Sequence, residues 1–458
     1  MLRLRPSIRA FSTTARRLEI IQLPRADALP KRIFPTYQAN HQNDLLGVQW
    51  PAPLRNVLLM KKEESPNVTE SLVEFSYHLQ NTYPSVNLIF EPSVASAVHA
   101  ELPSPVYSLP QTNNEAQKVL QDNVDLITTL GGDGTILHAA GLYNRVQRVP
   151  PILAFSMGTL GFLGEWKFGE YKRAFREVYM SGASAALEQM LERNYPDEVP
   201  KTVAAPPPTT AAEDPWASFR GKFMGPNRHA RILLRHRLQV SVQPPSSPSA
   251  SSSSKSAKSP LTLATAKTLA QRRPQTPQPL YALNEIIMHR GRAPHLCHIS
   301  ISVNGRHLTD AIADGLIVAS PTGSTAYSLS SGGCIVHPLV SSLVLTPICP
   351  RSLSFRPLVL PANAEIVLRV SDKNRSEGVD VSVDGQRLEE PLGRGGEVRI
   401  TGEDVGLAGF RDGARGEVPG GVPSIVRGLS GGQERGEDHW VGGLNGLLKF
   451  NYPFGDGV

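Results

Sequence analysis

The 458-residue chain has few cysteines and no long apolar segment. Its three cysteines, Cys297, Cys334 and Cys349, are too few and too scattered for a disulfide framework or a structural zinc site, so we expect them to fill space in strands. A membrane-spanning helix needs about 18 consecutive apolar residues. The apolar stretch Ile335–Ile348 is interrupted by His337 and by prolines. The sequence therefore predicts no membrane association.

Acidic residues are absent from the first 18 positions, which contain five arginines together with serine and threonine. This composition is typical of a mitochondrial transit peptide, and the alternative is a disordered basic tail. We predict a transit peptide over residues 1–18, disorder as far as about residue 45, and a location in the mitochondrial matrix. Without these arginines the net charge of +6 falls to about +1. A folded domain with so little excess charge lacks the basic face of a nucleic-acid binder.

The first half of the chain alternates strand-like and helix-like segments. Such alternation indicates parallel βαβ units, and hence an α/β domain, which we place at residues 50–195. The predicted strands are Asn56–Met60, Val86–Phe90, Val124–Leu130 and Pro151–Phe155, and the predicted helices are Thr69–Thr82, Thr135–Tyr143 and Glu170–Met180.

Two insertions interrupt the chain. Residues 196–215 are rich in Pro, Ala and Thr, and residues 243–279 are rich in Ser, Pro, Ala and Lys. Neither segment can bury enough apolar surface to offset its chain entropy, so we predict that both are disordered. The segment Arg231–Val242 alternates like a strand. The second insertion is therefore expected to be a hairpin loop between strands.

The second half of the chain is mostly β in pattern, and we assign residues 220–242 and 280–430 to a β-rich domain. The turn pairs Asn304-Gly305 and Asp384-Gly385 favour tight hairpins. An apolar segment at 438–452 is expected to form a last helix that packs back on a core. The predicted strands are Ile286–Met288, Ile299–Val303, Leu316–Ala319, Ile366–Val370 and Val379–Val383.

A glycine-rich turn, Gly131-Gly132-Asp133-Gly134-Thr135, lies between a predicted strand and a predicted helix. Glycines let backbone N–H groups approach a ligand, and a helix start is a natural phosphate seat. The turn is not a Walker A loop, and the chain has no GxGxxG fingerprint. A carboxylate about 4 Å from a phosphate charge costs about 4 kcal/mol at an effective dielectric constant of about 20. Asp133 thus indicates Mg²⁺-linked phosphoryl transfer with a general base, or alternatively a helix cap in a tight turn.

Two polar elements in the second half are candidates for ligand binding. Asn284-Glu285 offers an amide and a carboxylate that can bond a ribose diol, although a surface strand end would have the same residues. The segment Asp314–Ser330 places an acid before a strand and a hydroxyl-rich turn after it. The hydroxyls can bond a polar ligand and Tyr327 can pack against a ring, whereas the alternative is a helix cap from Thr325 onward.

Five motifs together resemble the NAD kinase family. They are GGDGT (131–135), SMGTLGFL (156–163), LNEI (283–286), DGLIVASPTGSTAYSLSSGG (314–333) and FRPLVLP (355–361). The resemblance covers roughly residues 55–165, 220–242, 281–400 and 423–452. It implies a Rossmann-like α/β nucleotide-binding domain, completed by the C-terminal helix, and a β-rich C-terminal NAD-binding domain, with the active site between them.

The resemblance also implies the activity and the residues that perform it. ATP would phosphorylate the adenosine 2′-hydroxyl of NAD or NADH, with Mg²⁺ as cofactor, in a homo-oligomer. Asp133 would be the catalytic acid/base, Asp314 would lie near the nicotinamide riboside half, and Phe162 would flank the adenosine. The full set of residues implied to bind nucleotide is Gly132, Gly134, Phe162, Asn284, Glu285, Asp314, Thr325, Ala326, Tyr327, Ser328, Ser330 and Gln386.

Two rival functions share part of this pattern. The GGDG turn alone also occurs in diacylglycerol-type lipid kinases and in 6-phosphofructokinases, so a lipid or sugar kinase is the alternative enzyme. A catalytically silent NADP(H)-binding sensor is the alternative without catalysis. The sequence leaves NAD and NADH as alternative acceptors, and polyphosphate as an alternative to ATP.

Overall fold

The structure is a computed structural model that describes residues 25–40, 43–63, 65–158, 161–181, 229–245, 279–406, 415–416, 418 and 420–427, together with Trp440, Leu444 and Leu448. The predicted transit peptide and the insertion at 196–215 lie outside the described residues. So do most of the insertion at 243–279 and most of the predicted helix at 438–452. Within the described part of the chain, no helix is both long and apolar enough to cross a bilayer.

The first domain is built on an eleven-stranded sheet. We number strands and helices along the whole chain. The strands of this sheet are β1 (Thr36–Asn40), β2 (Asn43–Gln49), β3 (Asn56–Lys61), β4 (Asn87–Phe90), β5 (Tyr107–Ser108), β6 (Leu126–Gly131), β7 (Ile152–Ser156), β8 (Trp166–Lys167), β9 (Arg231–Arg235), β23 (Arg415–Gly416) and β24 (Val422–Val426). Their order is β23-β1-β2-β9-β24-β7-β6-β3-β4-β5, with β8 beside β7.

Helices cover both faces of this sheet. They are α1 (Pro66–Thr82), α2 (Pro92–Val98), α3 (Asn113–Asn123), α4 (Asp133–Gly141) and α5 (Tyr171–Met180). Helices α1, α2 and α5 pack in one buried cluster, and α3 and α4 pack in another on the opposite face. Strands β3, β6 and β7 pair in parallel and are buried almost throughout, because both of their faces are covered.

The second domain consists of two antiparallel sheets. The six-stranded sheet contains β10 (Leu238–Gln243), β11 (Leu280–Ala282), β13 (Cys297–Val303), β14 (Arg306–Ala313), β18 (Ile366–Val370) and β22 (Glu397–Gly402). The seven-stranded sheet contains β12 (Glu285–His289), β15 (Gly315–Ala319), β16 (Ser342–Ile348), β17 (Leu358–Pro361), β19 (Gly378–Val383), β20 (Gln386–Arg387) and β21 (Leu392–Gly393). Alternate side chains of both sheets form one buried core. A short helix, α6 (Tyr327–Ser330), follows a 3-10 turn at Thr322–Thr325.

The predicted fold class, an α/β domain joined to a β-rich domain, is confirmed. Both turn pairs are two-residue hairpin turns, with positive φ at Asn304, Gly305, Asp384 and Gly385. Strands β10 and β11 pair in antiparallel register, so the insertion between them leaves from a hairpin as predicted.

The structure divides the chain differently from the sequence at three places. The predicted strand Arg231–Val242 is two strands, and the first, β9, belongs to the sheet of the first domain. Strand β24, which we had placed in the β-rich domain, returns to pair in parallel with β7. The hairpin β1–β2 lies partly within the region expected to be disordered to about residue 45, because Tyr37, Leu46 and Val48 are buried there.

Candidate active site

Asp133 is the first residue of α4, directly after strand β6 and the glycine turn. Its carboxylate accepts backbone N–H bonds from Phe162 at 2.9 Å and from Leu163 at 3.1 Å. Gly161 is needed beside it, because a Cβ atom there would overlap the Asp133 carboxylate. Each carboxylate oxygen has a second lone pair. Asp133 is therefore held in one orientation and can still accept a proton.

Lys62 lies next to the glycine turn, at the carboxyl end of β3. Its backbone N–H donates to the Leu130 carbonyl at 2.9 Å. A Cβ atom placed on Gly131 would lie 3.3 Å from the Lys62 Cβ. The side chain is exposed and has no ion pair or hydrogen bond to any residue that the structure describes. Lys62 is therefore a lysine next to the glycine turn whose side chain has no partner among the described residues.

Three segments meet at one end of the seven-stranded sheet. Strand β12 begins there at Glu285, and its neighbours β15 and β19 end there at Ala319 and Val383. The Ser320 N–H donates to the Asn284 carbonyl at 2.8 Å, which joins the start of β12 to the turn after β15. Gly323 is required in that turn, because a Cβ atom would overlap the Asn284 backbone.

This end of the sheet contains three buried polar side chains, Asn284, Glu285 and Thr322, which we call the polar pocket. Asn284, Glu285 and Thr322 are all more than nine-tenths buried. The Asn284 Oδ1, Glu285 Oε2 and Thr322 Oγ1 atoms have no hydrogen-bond partner among the described residues. A buried polar atom without a partner costs about 1–3 kcal/mol. Three such atoms in one pocket indicate a place where a polar ligand supplies the missing bonds.

The Glu285 carboxyl is kept partly protonated by its surroundings. Burial raises its pKa to about 7, the nearby Asp384 carboxylate adds to the shift, and the Tyr327 backbone N–H opposes it. Asp384 itself accepts backbone N–H bonds from Leu283 at 2.6 Å, Asn284 at 2.7 Å and Glu285 at 3.0 Å. Asp384 thus fixes the backbone of the Asn-Glu pair.

Glu285→Gln should make stability less dependent on pH. The carboxyl titrates near 4.5 when unfolded and near 7 when folded, so between these values the folded chain binds more protons. Its contribution is present at low pH and is lost as the pH rises through about 7, which amounts to about 2 kcal/mol between pH 5 and pH 8. Chemical denaturation at the two pH values measures this loss. The variant should show a smaller loss, whereas the control Glu389→Gln in an exposed turn should behave like wild type, and equal losses in all three chains would contradict the assignment.

The two domains bring the Asp133 helix against the Asn-Glu pair. Leu283 lies in the same buried cluster as Ile136, which is one turn after Asp133 on α4. At the other end of α4, a Cβ atom on Gly141 would be 3.8 Å from Gln386 Nε2. The Tyr281 N–H donates to the Asn144 carbonyl at 2.7 Å. These contacts place α4, the helix that Asp133 begins, against the segment that leads into the Asn-Glu pair.

A buried arginine joins the two domains near the end of α4. The Arg237 guanidinium pairs with Glu403 at 2.6 Å, with both side chains almost fully buried. It also donates to the Tyr143 carbonyl at 3.1 Å and the Gln147 carbonyl at 2.8 Å, both in the turn after α4. The guanidinium lies 4.3 Å from the centre of the Tyr281 ring. Arg237 thus fixes α4 relative to the second domain.

The predicted site residues that follow the pocket turn differ in how deeply they are buried. Thr325 and Ala326 are half-buried, Tyr327 and Ser330 are exposed, and all four follow the pocket turn. The Ser328 hydroxyl is buried against the Thr346 hydroxyl at 2.8 Å, which ties α6 to β16.

Asp314 is the predicted site residue that lies apart from the pocket. It precedes β15, so the length of that strand, about 20 Å, separates it from Ser320. There the Asp314 carboxylate pairs with Arg290 at 2.6 Å. Within one copy of the chain, Asp314 and the pocket turn do not meet.

Four residues of this region are not predicted from the sequence: Lys62, Arg235, Thr322 and Asp384. Lys62 directly follows a predicted strand, and the ends of parallel strands are where ligands bind, so it could have been found. Thr322 and Asp384 lie inside segments that were already singled out. Arg235 gave no signal, because its role depends on the sheet in which β9 is inserted.

An α/β domain with an acid in a glycine turn, joined to a β-rich domain with buried, unpartnered polar atoms, is the arrangement expected above for a phosphotransferase. The sequence profile of the ATP-NAD kinase N-terminal domain matches residues 59–183, and that of the ATP-NAD kinase C-terminal domain matches residues 283–403. The chain therefore belongs to the NAD kinase family.

Individual relatives match over most of the chain. The mitochondrial NADH kinase pos5 of Schizosaccharomyces pombe is 33% identical over 435 residues, which cover 93% of this chain and 85% of the relative. The mitochondrial NADH kinase POS5 of Saccharomyces cerevisiae is 33% identical over 420 residues, covering 88% of this chain and 83% of that protein. The crystal structure of yeast NADH kinase complexed with NADH superposes with a TM-score of 0.66 at 30% identity, covering 96% of this chain and 100% of that one.

Proposed function

We propose that this chain is an NAD(H) kinase, which transfers the γ-phosphoryl group of ATP to the adenosine 2′-hydroxyl of NAD or NADH. The observation that carries the proposal is the pocket with three buried, unpartnered polar atoms, on Asn284, Glu285 and Thr322, beside the helix that Asp133 begins. A ribose or base offers the donors and acceptors that these atoms lack. The relatives are named NADH kinases, which agrees with this acceptor.

The glycine turn and α4 are the proposed seat of the ATP phosphates. The first N–H groups of a helix have no intrahelical acceptor, and Gly132 and Gly134 leave open space around the backbone there. Asp133 then takes the proton of the 2′-hydroxyl. The ribose oxygen forms its bond to the γ-phosphorus while the bond from that phosphorus to the β–γ bridging oxygen breaks, and ADP leaves.

Mg²⁺ is proposed as the cofactor that accompanies ATP. Among the described residues, no group of three or more His, Cys, Asp or Glu side chains could hold a metal ion. Mg²⁺ usually binds through substrate phosphates, waters and one or two carboxylates rather than in a protein cage. When bound, the ion neutralises phosphate charge.

Lys62→Ala should weaken ATP binding. We propose that the free ammonium of Lys62 contacts the triphosphate, because it stands beside Gly131 and the turn itself has no cation. A charge-assisted bond of about 1.5–3 kcal/mol corresponds to a rise in the KM for ATP of about tenfold or more. Steady-state kinetics with varied ATP would show the rise, with the KM for NADH unchanged. Lys118→Ala, an exposed lysine on α3, is the control, and an unchanged KM for ATP in Lys62→Ala would contradict the contact.

The experiment that tests the function is a comparison of acceptors. Purified chain is incubated with ATP and, in separate reactions, with NAD, NADH, diacylglycerol and fructose 6-phosphate, and ADP release is followed. We expect turnover with NAD or NADH alone among the four. Turnover with diacylglycerol or fructose 6-phosphate would favour the lipid or sugar kinase. Binding of NADP(H) without any ADP release would favour the silent sensor.

We also propose a mitochondrial location, in the matrix, with residues 1–18 as the transit peptide. The arginine-rich, acid-free composition of this segment supports the proposal, and two relatives carry the word mitochondrial in their names. A homo-oligomer is proposed as well. It agrees with the position of Asp314, which lies too far from the pocket turn of its own chain to contact the same ligand group.

A further inference from the structure

A buried arginine, Arg235, lies behind the loop in which Phe162 and Leu163 bond the Asp133 carboxylate. Arg235 is the last residue of β9 and is only 2% exposed. Its Nη2 donates to the carbonyls of Phe162 at 3.3 Å and Leu163 at 3.5 Å, and its Nε donates to the Ser424 hydroxyl at 3.1 Å. Burial lowers the pKa of Arg235 to about 10, with Glu165 and Asp133 opposing the shift, so the guanidinium stays charged at neutral pH.

The residues that Arg235 bonds are the same two that bond Asp133. Phe162 and Leu163 give their N–H groups to the Asp133 carboxylate and their carbonyls to the Arg235 guanidinium. The loop therefore lies between a fixed positive charge and a fixed negative charge. Hydrogen bonds with a charged partner are about twice as strong as neutral ones. Bonds at both ends of a short segment polarise it and reinforce each other.

Among the described residues, the hydrogen bonds of the Phe162 and Leu163 backbone go to Asp133 and Arg235. Gly161 and Gly164 flank the segment and provide no side chain that could hold it. The Arg235 side chain comes from β9, a strand that the chain inserts between β2 and β24, and Ser424 on β24 orients its Nε. The order of strands in the sheet therefore places the buried Arg235 guanidinium behind Phe162 and Leu163.

We propose that Arg235 is a positioning residue for the reaction. It fixes the Phe162 and Leu163 backbone, and their N–H groups in turn hold the Asp133 carboxylate in the orientation that receives the 2′-hydroxyl proton. Arg235 itself does not touch substrate. This role rests on the proposed function, in which Asp133 is the base.

A double-mutant cycle between Arg235 and Asp133 tests this role. Arg235→Gln should lower kcat about 10-fold to 100-fold, since misplacing a catalytic group by about 1 Å has an effect of that size. The KM for ATP should stay within about twofold, because Arg235 contacts none of the residues proposed to hold the triphosphate. Arg235→Lys, which restores the charge but not the forked geometry, should recover part of the loss. In the Asp133→Asn background, Arg235→Gln should lower the residual kcat by less than about twofold, because the two residues act as a unit.

Thermal unfolding and a matched control separate positioning from folding. Arg231→Gln, at the start of the same strand, should keep wild-type kinetics. If Arg235→Gln does not fold, the double-mutant cycle with Asp133→Asn is measured with Arg235→Lys and with Ser424→Ala instead. If Arg235→Gln lowers kcat by the same factor in the wild-type and Asp133→Asn backgrounds, the positioning role of Arg235 is overturned, but the proposed base is not. Wild-type turnover in Asp133→Asn would instead overturn the proposed base, and this role with it.

Discussion

Replacing Asp133 by Asn is expected to lower kcat for NADH phosphorylation by about 10³-fold, at the middle of the range for general acid–base catalysis. The amide has nearly the shape of the carboxylate, but it cannot take the 2′-hydroxyl proton. The Kd for NADH should stay within about threefold, because the Asn284-Glu285 pocket is unchanged. Stopped-flow turnover and equilibrium binding of NADH to the same preparation measure the two quantities.

Two features make this test specific to Asp133. An Asn side chain has one acceptor oxygen, so either Phe162 or Leu163 loses its N–H partner, and the circular dichroism and unfolding midpoint must be compared with wild type. Asp122→Asn, which removes an acid from a surface pair with Lys31, is the control and should keep full turnover. A variant at position 133 with turnover within about tenfold of wild type would exclude Asp133 as the base.

Replacing Arg237 by Ala is expected to lower the free energy of unfolding by about 3–5 kcal/mol, because it leaves the Glu403 carboxylate buried without its partner. The same change removes the bonds to the Tyr143 and Gln147 carbonyls, which fix the end of α4 against the second domain. Urea denaturation measures the loss. A second consequence should appear in catalysis, since α4 then moves relative to the Asn-Glu pair.

The matched control for Arg237 is an ion pair at the surface. Arg399 pairs with Glu397 at 2.8 Å and is partly exposed. Arg399→Ala should cost less than about 1 kcal/mol, as exposed pairs do. Replacing Arg237 and Glu403 together by Met and Leu should recover much of the stability, since an apolar pair of similar size leaves no buried charge. Equal losses for Arg237→Ala and Arg399→Ala would contradict the proposed role of the buried pair.

The local chemistry of the phosphate turn could be predicted from sequence. Strand β6 and helix α4 were predicted to within a few residues, because a β-branched run ends in glycines and an acid then starts a helix. The two-residue turn at Asp384-Gly385 was predicted for the same kind of reason, since positive φ at both residues favours Asp and Gly. In each case a few neighbouring residues determine the structure.

Long-range placement could not be predicted in this way. Arg231–Val242 looks like one strand, yet it crosses from one domain to the other at His236 and Arg237. Strand β24 is short and follows a glycine-rich stretch, and nothing in its pattern shows that its partner is β7. The position of Arg235 behind Phe162 depends on that pairing and on the pairing of β9 with β24.

The raised pKa of Glu285 is a further example of such long-range placement. Residue 384 is about 100 positions away in the chain, yet the β12–β19 pairing brings its carboxylate to the Asn-Glu pair. Burial, the larger cause of the shift, depends likewise on contacts between residues that are distant in sequence. The sequence indicates Glu285 as a candidate site residue. Its protonation depends on burial and on Asp384, and neither can be predicted from the local sequence.

The most direct measurement is turnover of two NAD analogues, one without the adenosine 2′-hydroxyl and one without the 3′-hydroxyl. With Asp133 facing the 2′-oxygen, we expect the purified chain to release ADP with the 3′-deoxy analogue and to bind the 2′-deoxy analogue as an unreactive inhibitor. Phosphorylation of the 2′-deoxy analogue would contradict the assignment of that oxygen as the acceptor.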